Sequence, residues 1–290
     1  MNTASDVIRE LDAEANPRPA VSCIEPSKGW AALRLGEVWH FRELLFFLAW
    51  RDIKVRYKQS AIGAGWAVIQ PLATMTIFTL IFGRLAKMPS DGVPYSVFAF
   101  TGLLPWNYFS QALTRSGASL VGSAGLISKV YFPRLIVPLS AIVPALVDFA
   151  VAFLALVCMM TWFSIVPTWR WVLLPLFLSF AAISALAVGL WLTALNVRYR
   201  DVAHTIPFLI QFWMFASPVI YPISLVPERW RALYNLNPMA GVIQGFRWCL
   251  LGTGTLDPRA LAISAVMVSA LLWGGVVFFK RMERTFADVV

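Results

Sequence analysis

The 290 residues are 59% hydrophobic and only 13% charged, about half the charged share of an average soluble domain. One aqueous core cannot hide that much apolar surface, so the composition excludes an ordinary water-soluble domain and points to lipid as the solvent. The formal net charge of +9 does not imply nucleic acid, because the basic residues flank apolar runs and no soluble basic face with interleaved aromatics is present.

Residues 1–28 carry Asp6, Glu10, Asp12 and Glu14 among Asn and Pro with no apolar run, the reverse of a secretory signal. Residues 1–40 are therefore expected to form a cytoplasmic extension ahead of a transmembrane domain over 41–290. Over 41–58, Phe46, Trp50, Ile53 and Tyr57 recur at helical spacing, with Arg51, Lys54 and Lys58 a quarter-turn or more away and Arg56 on the opposite flank. That pattern predicts an amphipathic helix lying in the membrane interface.

A first span is expected over 62–85, interrupted only by Gln70-Pro71, and the Pro- and Gly-bearing 87–94 reads as an outer loop. A second span runs from 95 to about 113, after which 114–134 turns small and polar and reads as an inner loop with room for a short helix. The third span, 135–163, is long enough to tilt or kink and holds Pro138, Pro144 and Asp148. An outer turn at 167–171, a fourth span over 171–195, an inner loop at 196–204 and a fifth span over 205–220 follow, the last closed by Pro218 and Pro222. Residues 221–259 are apolar only in pieces. Within them 239–251, interrupted by Gln244 and Arg247, is too short to cross and is read as re-entrant or interfacial. The sixth span, 260–279, is followed by Lys280, Arg281 and Arg284.

The fold class is thus all-α and integral to a membrane, with about six transmembrane helices. Orientation checks the number. Of 24 Lys and Arg, seven fall in outer segments (Arg84, Lys87, Arg170, Arg229, Arg231, Arg247, Arg259), and four of the inner ones lie in the remote tail. Six spans put the basic clusters at both ends of the transmembrane domain on one side, cytoplasmic by the positive-inside rule; a seventh would oppose them.

Chemistry-bearing patterns are sparse. Cys23, Cys158 and Cys249 are scattered, and His40 and His204 have no Cys or paired carboxylate at ligand spacing, so neither a disulfide framework nor a metal site is indicated. There is no Ser/His/Asp signature, no carboxylate cluster for a membrane-embedded glycosyl- or phospho-transferase, and no Gly-x-x-x-x-Gly-Lys-Ser/Thr loop to cradle nucleotide. The chain is expected to be no enzyme and to hold no cofactor, so ATP-driven work would need a separate subunit.

Seven strings, RDIKVRYKQSAIG (51–63), WAVIQPL (66–72), GLLPWNYF (102–109), LISKVYFPRLIVPLS (126–140), NVRYRDV (196–202), SPVIYP (217–222) and NLNPMAGVIQGFR (235–247), stand in order at fitting topological positions. Together they resemble the permease subunits of ATP-binding-cassette exporters for O-antigen, capsule and teichoic-acid polymers, over roughly residue 41 to the end. The resemblance implies a homodimer enclosing a channel in the bacterial inner membrane, two copies of a cytoplasmic ATPase that binds ATP and Mg, and lipid-linked polysaccharide as cargo. It also implies a coupling helix for the ATPase in the loop between spans two and three, represented by Ser123, Leu126, Ile127, Lys129, Val130 and Tyr131, and gate helices within 221–259. A small-molecule efflux permease of the same architecture is the alternative.

On this background Arg51, Lys54, Arg56 and Lys58 are candidate contacts for a lipid pyrophosphate, against plain positive-inside anchoring. Trp66, Trp106, Tyr108, Phe109, Trp213, Phe215 and Tyr221 are candidates to line a channel by stacking on sugar rings, against ordinary core or interface-belt roles. Asp148, the one carboxylate deep in an apolar run, is either a channel or gate residue or half of an inter-helix bond.

Overall fold

The computed structural model describes residues 35–58, 65–254, 256–283 and 286. The extension up to residue 34, the stretch 59–64 within the first resembling string, and Arg284 lie outside the described residues. Among the described residues every regular element is helical. In chain order they are α1 (Leu35–His40), α2 (Arg42–Lys58), α3 (Trp66–Phe78, continued by a π-helical turn over Thr79–Leu85), α4 (Tyr95–Gly122), α5 (Ala124–Ile127), α6 (Ile136–Ala141) and α7 (Pro144–Trp162). They continue with a 3₁₀ turn (Trp169–Leu173), α8 (Leu174–Arg198), α9 (Val202–Phe215), a second 3₁₀ turn (Ile223–Leu225), α10 (Glu228–Asn235), α11 (Pro238–Leu250) and α12 (Pro258–Met282).

Four of these segments are long and apolar enough to cross a bilayer: Trp66–Leu85, Ile136–Trp162, Trp169–Arg198 and Pro258–Met282. The 28-residue α4 is not among them, yet it buries more residues than any other described helix, with nearly every side chain from Val97 to Phe109 buried. The two facts have one cause. Hydropathy registers the surface a helix must show to lipid, and α4 is shielded by α3, α7, α8 and α11, so it can carry Gln111 and Arg115 toward partners on neighbouring helices.

Here the expected boundaries need correction. The small, polar residues after 113 were expected to leave the helix as an inner loop, but α4 continues to Gly122. Those residues serve a close crossing with α8: Thr193 Oγ1 donates to the Ser116 carbonyl at 2.6 Å, and Asn196 Nδ2 donates to the Gly117 carbonyl at 3.0 Å. A Cβ on Gly189 would stand 2.6 Å from Ser116 Oγ, so α8 needs glycine where it passes α4. Likewise the fifth apolar run stops being helical at Phe215 instead of reaching 220, because Ser217, Val219 and Ile220 are drawn into turns that bond other elements.

Prolines act where expected. The third apolar run bends between α6 and α7, where Pro144 supplies no N–H and Val143 N bonds back to the Ser140 carbonyl at 3.2 Å. The 87–94 turn has Lys87, Asp91 and Gly92 at positive φ.

Two apolar clusters organise the bundle. The smaller joins Leu48 of α2, Leu120, Ile127, Phe132, Ile136, Val197, Phe279 and Phe286, gathering the end of α4, the end of α8 and the end of α12 at what we call the basal end. The chain is pinned there by polar contacts as well: Arg134 N donates to Glu283 Oε1 at 3.2 Å, the Arg134 guanidinium donates to the Glu283 carbonyl, and Lys280 Nζ lies 2.8 Å from Glu283. The larger cluster fills the rest of the bundle between α4, α7, α8 and α11.

Helix α12 lies on α8 through a glycine pair. Trp191 of α8 donates its indole N–H to the Leu271 carbonyl at 3.0 Å and covers Gly274 and Gly275, and a Cβ on Gly275 would stand 2.9 Å from the Ala187 carbonyl. Because that neighbour is backbone, Gly275→Val must push the helices apart, and we expect a loss of about 1–3 kcal/mol. Thermal unfolding of the detergent-purified protein, followed by tryptophan fluorescence, checks this; an unchanged melting temperature would refute the close approach.

Candidate functional site

The basal end holds an ionic cluster assembled from three helices. Helix α2 was expected to turn Phe46, Trp50, Ile53 and Tyr57 to one side together. Instead Leu48 and Ala49 are buried with Leu45, Asp52, Ile53, Arg56 and Tyr57 partly buried beside them, while Phe46, Phe47 and Trp50 point away from the bundle. The apolar stripe is thus split, and two residues of opposite charge take the packed face. Their partners explain it. Tyr57 Oη donates to Asp148 Oδ1 at 2.5 Å, Arg56 Nη2 stands 2.7 Å from Asp148 Oδ2 and also donates to Gln111 Oε1 at 3.2 Å, and Arg115 Nη2 lies 3.9 Å from the same carboxylate oxygen.

Asp148 is 3% exposed, so an unpartnered carboxylate there would be costly; the helix α2 supplies both a proton donor and a cation. Burial first, and then the hydrogen bond to Asp148, raises the Tyr57 hydroxyl far above its usual range, so it stays protonated and donates. Asp148 thereby fastens α2 to α7, with α4 contributing Gln111 and Arg115.

Beside this cluster a cavity of about 360 Å³ opens between α2, α4 and α6, lined by Arg51, Arg56, Arg115, Ser119 and Ser123 among others. Arg51 is paired with Asp52 at 2.8 Å. Three guanidinium groups against Asp52 and Asp148 leave a surplus of one positive charge. Lys54 extends over the Trp50 ring at 5.5 Å, and both it and Lys58 are exposed on the outward side of α2. Of the four basic residues singled out from sequence, Arg51 and Arg56 therefore meet at one cavity and Lys54 and Lys58 do not; Arg115 joins them, and only its distance in sequence hid it.

The one-turn α5 and the residues after it carry the expected coupling segment. Ile127 is buried in the basal cluster and Leu126 is half-buried, whereas Ser128, Lys129, Val130 and Tyr131 are exposed, Tyr131 at 73%. The exposed part of this segment is therefore 128–131, with Ile127 as its buried anchor.

At the distal end three of the resembling strings converge. Arg247 of α11, 5% exposed, donates through Nη2 to the Val219 carbonyl at 2.8 Å and through Nη1 to the Tyr221 carbonyl at 3.3 Å, and its guanidinium lies 3.6 Å from the centre of the Phe98 ring. A Cβ on Gly102 would stand 2.9 Å from that guanidinium and 3.0 Å from the Val219 carbonyl, so glycine is required where α4 faces the pair. Asn237 caps α11 by accepting from Met239 N at 3.0 Å, accepts the Trp213 indole N–H at 2.9 Å, and donates to the Ala216 carbonyl and Ser217 Oγ. Tyr95 Oη donates to the Ile220 carbonyl at 2.7 Å, and the hydroxyls of Tyr221 and Tyr234 bond each other. The non-helical 216–222 is thus held by side chains instead of a helical ladder.

The aromatic candidates divide accordingly. Trp106, Tyr108 and Phe109 lie within the chain's own core, Phe109 packed edge-on to Trp213 at 5.1 Å, while Trp66 and Phe215 are about half exposed and Tyr221 is half-buried. Sequence reasoning passed over Arg247 as an outer-side charge. An arginine interrupting the apolar 239–251 was the available signal that it is buried.

Residues 43–251 match the family described as ABC-2 type transporter. The chain belongs to this family. It is 30% identical over 256 residues to the O-antigen export system permease protein RfbA of Myxococcus xanthus, covering 88% of this chain and 98% of that protein. An RfbA of Klebsiella pneumoniae is 28% identical over 249 residues, covering 86% of this chain and 95% of its own length, and the polysialic acid transport protein KpsM of Escherichia coli is 23% identical over 239 residues, covering 81% and 91%. This ABC-2 chain is accordingly a multi-pass membrane transport protein and not an enzyme, and membership implies an ATPase partner. The family match begins inside α2 and ends just after α11, so both polar clusters lie within it.

The ionic cluster yields a measurable coupling. Asp148→Asn leaves Arg56 without a counter-charge, so it should destabilise more than the Arg56→Met, Asp148→Asn double variant, with a coupling of about 1–3 kcal/mol in a double-mutant cycle. Denaturation in detergent followed by circular dichroism measures it; additive effects would show that α2 is not held by this pair.

Proposed function

We propose that this chain is the channel-forming membrane subunit of an ATP-driven exporter of lipid-linked polysaccharide in the bacterial inner membrane, working as a homodimer with a dimer of cytoplasmic ABC ATPase that binds ATP and Mg. The near-full-length likeness to proteins named for O-antigen export carries the reading of the cargo. Residues 41–290 form the transmembrane permease domain, crossing six times through α3, α4, α6 with α7, α8, α9 and α12. This arrangement puts Arg42, Lys129, Arg198 and Lys280 at the basal end, which their positive charge makes cytoplasmic, with both termini. Helices α10 and α11 are the gate helices at the outer end. Exposed aromatic side chains on the faces of α3 and α9, Trp66, Phe208, Phe212 and Phe215, suit a second copy and the channel between the two.

At the basal end two surfaces divide the work. The 128–131 surface, backed by a pocket of about 210 Å³, docks the ATPase, and the arginine cavity receives the anionic diphosphate of the lipid carrier through Arg51 and Arg115, while Arg56 fastens α2 to Asp148 and Lys54 and Lys58 meet membrane headgroups.

Deleting the gene should remove the polymer from the cell surface while lipid-linked polymer accumulates inside, detected with antibody on intact and on lysed cells. Unchanged surface polymer, or loss of a drug-efflux phenotype instead, would overturn the cargo assignment. Two variants then separate the basal surfaces. Val130→Glu with Tyr131→Glu should lose co-purification of the ATPase and export together, whereas Arg51→Gln with Arg115→Gln should keep the ATPase and lose about tenfold in export, roughly one charge-assisted contact. Export at the unsubstituted rate in the arginine pair would leave anchoring as their only role.

A further inference from the structure

The distal end contains a further cavity, of about 690 Å³, that shares Arg247 with the cluster around 216–222 but extends beyond it. Its walls come from five places in the chain: Asp91 of the 87–94 turn, the Pro222–Ser224 turn, α10 through Arg231 and Asn235, α11 through Gln244 and Arg247, and the Thr253-Gly254 turn with Asp257 at the start of α12. Its size lies within the range of ordinary small-ligand sites, about 300–1,000 Å³, but its lining is unusually polar for one.

The charges decide the ligand class. Asp91 and Asp257 oppose Arg231 and Arg247, so the lining is neutral in sum; Glu228, 3.6 Å from Arg231, faces solvent. An anion would meet two carboxylates, a cation would meet two guanidinium groups, and an acyl chain would strip water from all four. Guanidinium groups only donate, carboxylates only accept, and the amides of Asn235 and Gln244 do both. The uncharged group that satisfies acceptors and donators at such mixed spacing is the hydroxyl, present in rows on a sugar ring. Two buried atoms of the lining residues, Arg247 Nε and Thr253 Oγ1, have no hydrogen-bond partner among the described residues, which is the pattern of a site built for a ligand more than for packing. Gly252 and Gly254, at φ 69° and 78°, make the tight turn that brings Thr253 to the wall.

We propose that this cavity binds a neutral saccharide unit on the extracytoplasmic side. The inference rests on the polysaccharide reading and deepens it: the outer mouth of the chain has a sugar subsite of its own, set apart from the aromatic faces of α3 and α9. A sugar held there rests on Arg247, whose other donors hold the carbonyls of Val219 and Tyr221, so occupancy bears on the turn that joins α9 to α10.

A photo-crosslinking amino acid placed at Ser224, on the exposed lip of the cavity, tests this in cells with the full transporter exporting its native polymer. The same probe at Val172, exposed near this end but outside the cavity, is the control. After irradiation and purification of the permease, glycan detection should show adducts at Ser224 several-fold above those at Val172. Gln244→Ala with Asp91→Asn should lower the Ser224 adduct by about two- to tenfold, the effect of one or two lost hydrogen bonds. Equal adducts at the two positions, an adduct carrying phospholipid instead of glycan, or a Ser224 signal indifferent to the substitutions would overturn the subsite. Those results leave export itself intact and are told apart from failure of the exporter reading, in which surface polymer does not depend on the chain at all.

Discussion

The bundle depends on how closely α8 can approach α4. At Ser116 and Gly117 the two backbones are near enough for α8 side chains, Thr193 and Asn196, to bond α4 carbonyls that the helix's own ladder already uses. In lipid there is little hydrophobic reason for one apolar helix to prefer another, so small residues and hydrogen bonds set the contact. Everything else follows from α4 being surrounded. It frees that helix from having to be lipid-compatible, and it lets Gln111 and Arg115 on one end and Gly102 on the other serve as partners for charged groups carried by neighbours.

The two ends use buried arginine differently. At the basal end Arg56 meets a carboxylate, and this ion pair, with Tyr57 bonding the same carboxylate 91 residues on, ties α2 to α7. At the distal end Arg247 meets carbonyls and an aromatic face, with no carboxylate among its direct partners. A guanidinium has five donors in a planar fork, and the 216–222 segment has carbonyls that left their helix, so one arginine replaces the missing ladder. The first arrangement joins α2 to α7; the second gives donors to backbone carbonyls that have no helical partner.

How far the fold was legible depended on whether the deciding partner lay nearby in the chain. Proline and glycine positions announced the 87–94 turn and the bend at Pro144, because those residues act on their own backbone. Periodicity found α2 but did not foresee that its apolar stripe is divided, with Ile53 and Tyr57 turned to the bundle and Phe46 and Trp50 away from it. Phe46 and Trp50 are apolar and face outward, while Asp52, Arg56 and Tyr57 are polar and face inward, an inversion visible only when Asp148 is brought up. The polar stretch after 113 looked like a loop for the same reason: Ser116 and Gly117 make sense only beside Gly189, Thr193 and Asn196. Of the candidate site residues, Asp148 was singled out for its depth and its partner is the inter-helix one, Ile127 is buried instead of outward-facing, Arg247 was read as an outer-side charge, and Arg115 was not noticed.

These differences also separate what is stiff from what is loosely held. Helix α4 cannot shift without repacking four neighbours, since a close-packed interior has two discrete arrangements more readily than a continuous range. Helices α3 and α9 bury little against the chain: Ala67 and Pro71 on α3, and Ile206 and Ile210 on α9, are the fully buried residues of those helices. α3 packs on α4 and α7 along one side, and α9 is held near its start by Ile206 against Gly117 and at its end by the turns that Asn237 and Arg247 hold. A force delivered at the basal end through α2 and Asp148 reaches α7 and the flank of α4 first, and those are the stiff elements. Packing is thinner at α3 and α9, which bury fewer residues than α4 or α8.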